Sequence, residues 1–225
     1  MAKRTLAIGD VHGCFTAMQA LLDAAQVTDE DHVVWLGDYV DRGPDSAKVV
    51  AFLMGLPEAS NTCLRGNHEI LMVNARRSVD HRRLWASVGG DATWDSYLAE
   101  YGDSGMESVP GSLWAFFDAL KPYHETDTHL FVHGSLDSDV PPDEQSDDAL
   151  YWNRFDSIGP HMSGKHIVCG HTSQKDGLPK TRPHATCIDT FAFGGGWLTC
   201  LDVATGEYVQ ANQAGETRRD WLEPT

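Results

Sequence analysis

Positive charge is scarce in this chain: 17 Lys and Arg stand against 33 Asp and Glu, a formal net charge of −16. Phosphate-backbone binding draws on clustered basic side chains, so the balance argues against a nucleic-acid partner. Part of the excess is local, with Asp137, Asp139, Asp143, Glu144, Asp147 and Asp148 crowded into one expected loop. Long apolar runs are missing too. None approaches the roughly 20 residues a membrane span needs, which excludes a membrane partner of that kind. The first apolar run is cut at Asp10, too early for a secretory signal, so the expected compartment is the cytoplasm. Cysteine is limited to Cys14, Cys63, Cys169, Cys187 and Cys200, an odd number without zinc-ribbon or dithiol spacing, which reads as reduced core thiols. No Pro/Ser-rich linker, internal repeat or low-complexity segment divides the 225 residues, and a single domain over 1–225 is expected.

What the chain does contain is an alternation of short apolar runs and helical patterns. Thr5 to Ile8, His32 to Leu36 and Asn61 to Leu64 read as strands, each followed by a turn and a helix. From Val79 to Leu120 the pattern is helical, with Leu84, Trp85, Trp94, Tyr97, Leu98, Trp114, Phe116 and Phe117 spaced for packing. The last third returns to strands, at His129 to Val132, His166 to Cys169 and Thr186 to Ile188, and closes with a hairpin over Leu198 to Val203 and Tyr208 to Ala211. Strand-loop-helix units imply an α/β fold with a largely parallel sheet, in which ligands collect beyond the carboxyl ends of the strands.

Polar residues cluster at those ends. The boxes Gly9-Asp10-Val11-His12-Gly13, Gly37-Asp38-Tyr39-Val40-Asp41-Arg42-Gly43 and Gly66-Asn67-His68-Glu69 follow the first three strands, and His133-Gly134, Gly170-His171 and Asp189 follow later ones. Asp10, His12, Asp38, Asn67, His133 and His171 make six carboxylate, imidazole and amide donors, too many for one tetrahedral zinc. Such a mixed set suits two divalent ions sharing a carboxylate, and pairs about 3.5–4 Å apart recur in phosphoryl hydrolysis. Arg42 lies close enough to the second box to clamp a phosphoryl oxygen, and guanidinium matches that planar task. Asp41 could instead hold an imidazole. The remaining histidines, His32, His81, His124, His129, His161, His166 and His184, read as ordinary polar side chains. Glu69 reads as a brace for the start of its helix, and Asp189 as either a support for a ligand histidine or a turn residue.

The ordered boxes, from Gly9 to about Gly196, resemble the signature of the calcineurin-like metallophosphoesterase superfamily, and Asp41-Arg42 with Asn67-His68-Glu69 resembles its serine/threonine phosphoprotein phosphatase branch. The resemblance implies a four-layer α/β/β/α sandwich with a dinuclear site at strand C-terminal ends. It implies Asp10, His12 and Asp38 on a first metal and Asp38, Asn67, His133 and His171 on a second. It makes His68 the general acid oriented by Asp41, Arg42 a phosphate ligand and, from Trp152-Asn153-Arg154, Arg154 a second clamp. Manganese is the expected ion, with iron, zinc or nickel compatible with the same donors. The implied reaction is hydrolysis of a phosphorylated protein or peptide, by direct attack of water activated between the ions, in a compact enzyme of bacterial or phage type working as a monomer.

Two departures bear on substrate: Gly134 and Ser135 follow His133 where many eukaryotic members have Ala, and Phe191-Ala192-Phe193 interrupts the usual approach to the glycines after Asp189. The first alternative is hydrolysis of diadenosine tetraphosphate on the same centre; Glu69 leans away from it, since by resemblance Asp is usual there. The second is a degenerate scaffold without activity, which the complete ligand set disfavours.

Overall fold

The computed structural model describes residues 4–102 and 109–223. Residues 103–108, inside the span expected to be helical, lie outside the described residues.

Four strands share one burial signature, a half-buried first residue followed by three buried ones: β1 (Thr5–Ile8), β2 (His32–Trp35), β5 (His129–Val132) and β6 (His166–Cys169). Strands buried on both faces have no polar side to alternate with, which is why they appear as continuous apolar runs. They form the centres of two sheets rather than one. With β3 (Asn61–Cys63), β9 (Leu198–Asp202), β10 (Glu207–Ala211) and β11 (Thr217–Trp221), the first sheet runs β11-β10-β9-β1-β2-β3. With β4 (Tyr123–Glu125), β7 (Lys180–Arg182) and β8 (Ala185–Cys187), the second runs β4-β5-β6-β8-β7.

The expectation of a largely parallel sheet is corrected here. Among the named strands parallel pairing is confined to β1–β2–β3 and β5–β6–β8, and the strands outside those two triplets all pair antiparallel. The closing hairpin is likewise a three-stranded meander, since β11 follows β10. Outer strands such as Tyr-His-Glu, Lys-Thr-Arg and Thr-Arg-Arg-Asp-Trp are short, polar and partly solvated, and carry no apolar run to betray them.

Side-chain alternation sorts the core into three bands. Leu6, Ile8, Val33 and Trp35 face outward from the first sheet onto α1 (Phe15–Ala24), α2 (Ser46–Met54), α3 (Asn67–Ala75), α5 (Asp91–Tyr101) and α6 (Gly111–Ala119). Their neighbours Ala7, Val34 and Leu36 face inward, where they meet Phe131, Val168 and Leu201 between the sheets. Leu130, Val132, Ile167 and Cys169 lie beneath α7 (Asp147–Tyr151) and Phe155. Each fully buried large side chain contributes about 1.5–3 kcal/mol. The result is the four-layer α/β/β/α order, with α4 (Val79–Trp85) joined to α5 through a kink over Ala86–Gly90, where Gly89 is non-helical.

Among the described residues no helix is long and apolar enough to cross a membrane. All five cysteines are free, and burial pushes the thiols of Cys14, Cys63 and Cys200 up to about 12.

Candidate metal centre

Because β1, β2 and β3 are parallel, as are β5, β6 and β8, every polar box leaves its sheet from a strand's carboxyl end. The first three boxes come from one sheet and His133, His171 and Asp189 from the other, so the site straddles the seam. Asp10, His12, Asp38, Asp41, Asn67, His68 and His133 are all buried. The turns that deliver them are tight: His12, Asp38, Asp41, Arg42 and His171 adopt φ of 45°, 51°, 73°, 72° and 61°. A left-handed non-glycine residue costs roughly 1–2 kcal/mol, and five of them mark a site held by its surroundings.

Each candidate ligand histidine has one ring nitrogen committed to a backbone carbonyl. Nδ1 of His12 donates to Val40 O at 2.8 Å, Nδ1 of His133 to Leu36 O at 2.9 Å, and Nε2 of His171 to Trp152 O at 3.1 Å. A carbonyl can only accept, so the proton sits there, and in the neutral ring a ligand needs the opposite nitrogen is bare. For His133 and His171 that bare nitrogen faces Asn67 Oδ1, at 3.0 Å in both cases, and His133 Nε2 also stands 3.4 Å from Asp38 Oδ1. Four acceptors thus converge with no proton among them, which is a fit for a cation. The other oxygen of Asp38 faces His12 Nε2 at 3.5 Å. Two groups of potential ligands result, His12–Asp38–His68 and Asp38–His133–His171, each within 4.8 Å, and Asp38 is common to both.

Protonation separates His68 from the others. Burial pushes His12 well below the ordinary histidine value and His171 down to about 4, as befits neutral ligands. Burial acts the same way on His68, but Asp38 and the hydrogen-bonded Asp41 outweigh it and raise its pKa. Its Nδ1 donates to Asp41 Oδ2 at 2.6 Å, and its Nε2 lies 4.0 Å from Asp38 Oδ2. A charged imidazolium cannot ligate a cation but can give up a proton. Asp38 is itself held below the ordinary carboxylate range: burial would raise it, and the imidazoles of His133, His68, His12 and His171 prevail. Asp10 accepts the N–H of His171, at 2.9 Å on Oδ2, and is raised by burial and by the charges of Asp189 and Asp38. Such a carboxylate gains from a positive ion beside it.

Arg42 is exposed; its Nη1 donates to His12 Nε2 at 2.8 Å and its guanidinium lies 4.4 Å from the centroid of Phe193. Arg154 is also exposed, and its charge helps to lower His171. Glu69 reaches back to Gly66 N–H at 2.9 Å from the first turn of α3, the brace expected of it, and also accepts from the second box. Of the two readings for Asp189 the turn fits: its carboxylate accepts from Ser173 Oγ at 2.6 Å and Phe191 N–H at 3.1 Å. Trp85, expected only to pack, and Thr93, which the sequence did not single out, both donate to Asp41. The double glycine Gly89-Gly90 inside a helical stretch was the one sequence signal at that place. Arg76 and Arg77 in the turn after α3, and Arg82 and Arg83 on α4, are exposed.

A sequence model of the calcineurin-like phosphoesterase family matches residues 3–194. The chain is 30% identical over 198 residues to serine/threonine-protein phosphatase 1 of Salmonella typhimurium, covering 85% of this chain and 88% of that protein. It is 37% identical over 185 residues to the symmetrical bis(5'-nucleosyl)-tetraphosphatase of Psychromonas ingrahamii, covering 79% of this chain and 62% of that one. In fold it resembles the cold-active protein-tyrosine phosphatase of a psychrophilic Shewanella, with a TM-score of 0.62 at 20% identity over 97% of this chain and 80% of that one. With this agreement of sequence, fold and donor set, the chain belongs to the calcineurin-like phosphoesterase family, in the branch that includes the serine/threonine phosphoprotein phosphatases, and is a metal-dependent phosphoesterase.

Proposed function

We propose that this protein hydrolyses phosphoserine and phosphothreonine in proteins or peptides, and admits phosphotyrosine. The observation that carries the reading is the His68–Asp41 pair, a proton donor backed by a buried carboxylate beside the acceptor cluster. An alkoxide leaving group needs a proton in the transition state, whereas a polyphosphate leaving group is already a stable anion. Asp10, His12 and Asp38 would hold one divalent cation and Asp38, Asn67, His133 and His171 a second, with manganese the proposed ion. When bound, the pair supplies Lewis acidity toward the phosphoryl oxygens and an activated water. The chain's own groups do the rest: Arg42, with Arg154 as the outer clamp, binds and orients the phosphate, and His68 delivers its Nε2 proton to the leaving oxygen. We place the enzyme in the cytoplasm as a monomer, with neither nucleic acid nor membrane as partner.

A second reading, symmetrical cleavage of diadenosine tetraphosphate, is favoured by the 37% identity to the Psychromonas enzyme. Manganese-reconstituted protein assayed on phosphoserine, phosphothreonine and phosphotyrosine peptides, p-nitrophenyl phosphate and diadenosine tetraphosphate, ranked by kcat/KM, separates the two. Phosphoserine or phosphothreonine should lead; a clear lead for diadenosine tetraphosphate would sink the phosphatase reading.

A further inference from the structure

Asp41 is fully buried, and two consecutive helices reach its carboxylate. The indole Nε1–H of Trp85, the last residue of α4, donates to Oδ1 at 2.9 Å and Oδ2 at 3.0 Å. Thr93, in the first turn of α5, donates its hydroxyl to Oδ1 at 2.8 Å and accepts the N–H of Asp41 at 2.6 Å. Between them the kink contributes a third contact, for Gly89 O accepts the N–H of Arg42 at 2.9 Å. Gly89 has φ +110°, and a Cβ there would lie 2.7 Å from Arg42 Cγ; a Cβ on Gly90 would lie 2.5 Å from the indole of Trp85. The stretch from Trp85 to Thr93 therefore wraps the Asp41-Arg42 pair, both members of which are left-handed.

Packing alone does not require this. Trp85 and Thr93 are both buried; Val would match the shape of Thr93, while Phe would leave a small cavity at Trp85. What Phe and Val lack are the N–H and O–H groups, and these end on the carboxylate that holds His68. A bifurcated donor across both oxygens fixes the carboxylate plane, while a hydroxyl that accepts from the backbone and donates to the side chain fixes its rotation about χ1.

We propose that Trp85 and Thr93 are positioning residues for proton delivery: they lock Asp41 so that Oδ2 meets His68 Nδ1 and aims the opposite ring nitrogen at the leaving oxygen. The proposal rests on the reading of His68 as the acid. Catalytic groups displaced by about 1 Å lose up to about 10²-fold in rate, so the lock should be visible in turnover.

The test uses the full chain with Thr93→Val, Trp85→Phe, Thr93→Ser and His68→Asn. With manganese bound, Thr93→Val and Trp85→Phe should lower kcat on phosphoserine by about tenfold or more. KM and metal content should stay unchanged, and p-nitrophenyl phosphate turnover should hold within about twofold, because its leaving group needs little protonation. Thr93→Ser, which keeps the hydroxyl, should restore the phosphoserine rate. In the metal-free protein the His68 Nδ1–H resonance should shift or broaden in Thr93→Val and not in Thr93→Ser. Equal losses on both substrates, a fall in bound metal, or no loss at all overturns the proposal. If Trp85→Phe fails to fold, the Thr93 pair decides alone. If His68→Asn shows no dependence on leaving group, the acid reading falls by itself; the resonance then judges the lock, and an unaltered signal in Thr93→Val overturns it.

Discussion

Glu69 Oε2 accepts the backbone N–H of Asp38 at 2.9 Å, and through that bond the third box holds the second in register. The same carboxylate takes the N–H groups of Tyr39 at 2.8 Å, Val40 at 3.3 Å and Gly66 at 2.9 Å. Burial and the charge of Asp38 push Glu69 up to about 8 against these four amides. Glu69→Gln turns an NH2 group toward N–H donors, and a buried donor left unsatisfied costs roughly 1–3 kcal/mol. Urea titration should show a loss of at least that size, with metal affinity reduced in parallel because Asp38 is no longer fixed.

Asp38→Asn tests the shared ligand. With one oxygen toward His12 and the other toward His133, Asp38 is, among the described residues, the candidate common to both groups. Elemental analysis should find the metal content well below two per chain and activity lost with it, while Asp137→Asn should change neither. Full occupancy with ordinary turnover in Asp38→Asn would refute a dinuclear centre.

For His68→Asn, both metals should remain while kcat on phosphoserine falls by roughly 10²–10⁴. The pH profile adds a second measurement. Burial lowers the pKa of His68, and Asp38 and Asp41 more than reverse the shift, so the ring stays charged above the ordinary value of 6.5. The limb on which turnover declines with rising pH should therefore lie above 6.5 and move downward in Asp41→Asn. The linked stability has the same sign: it is fully present below pH 6.5 and is lost as pH rises through the folded value.

His171 titrates the other way. Burial, then the neighbouring His133, lowers it from 6.5 to about 4, so between those values the unfolded chain binds the extra proton. In metal-free protein, stability should rise with pH across that window and fall as pH drops toward 4. Denaturation midpoints measured from pH 4 to 6.5 should show a shallower slope in His171→Asn. An unchanged slope would mean that His171 carries its proton in the folded state.

Arg42→Gly should move stability and activity in opposite directions. Its φ of 72° disfavours any side chain, so glycine relieves roughly 1–2 kcal/mol of backbone strain. Activity should fall through a raised KM as the phosphate contact disappears. Arg42→Lys should keep part of the binding but lose the bidentate geometry. A melting temperature below that of the parent would show that the stack on Phe193 outweighs the strain.

The candidate ligands were legible because each sits beside a glycine at the end of an apolar strand, a pattern confined to a few residues of sequence. The central strands were legible for the same reason, being buried on both faces. Strands β4, β7 and β11 were not, since edge strands are defined by their partners and Lys180 to Arg182 has no pattern of its own. Nor could the sequence show that His12 and His133 offer Nε2 whereas His171 offers Nδ1. That choice depends on whether Val40, Leu36 or Trp152 brings a carbonyl to the ring, and Trp152 lies 19 residues away from His171. Trp85 and Thr93 were hidden because indole and hydroxyl groups in a helical stretch look like packing until the carboxylate they reach is seen.

The seam between the sheets gives bound ions a second task. The proposed second site spans it: Asp38 and Asn67 lie on one sheet and His133 and His171 on the other, so residue 38 must wait for residue 171. An ion that binds there only in the closed sandwich would draw its halves together, adding about 2.7 kcal/mol at a free concentration of 100 times Kd. Cation uptake at that site would then act as a checkpoint on assembly.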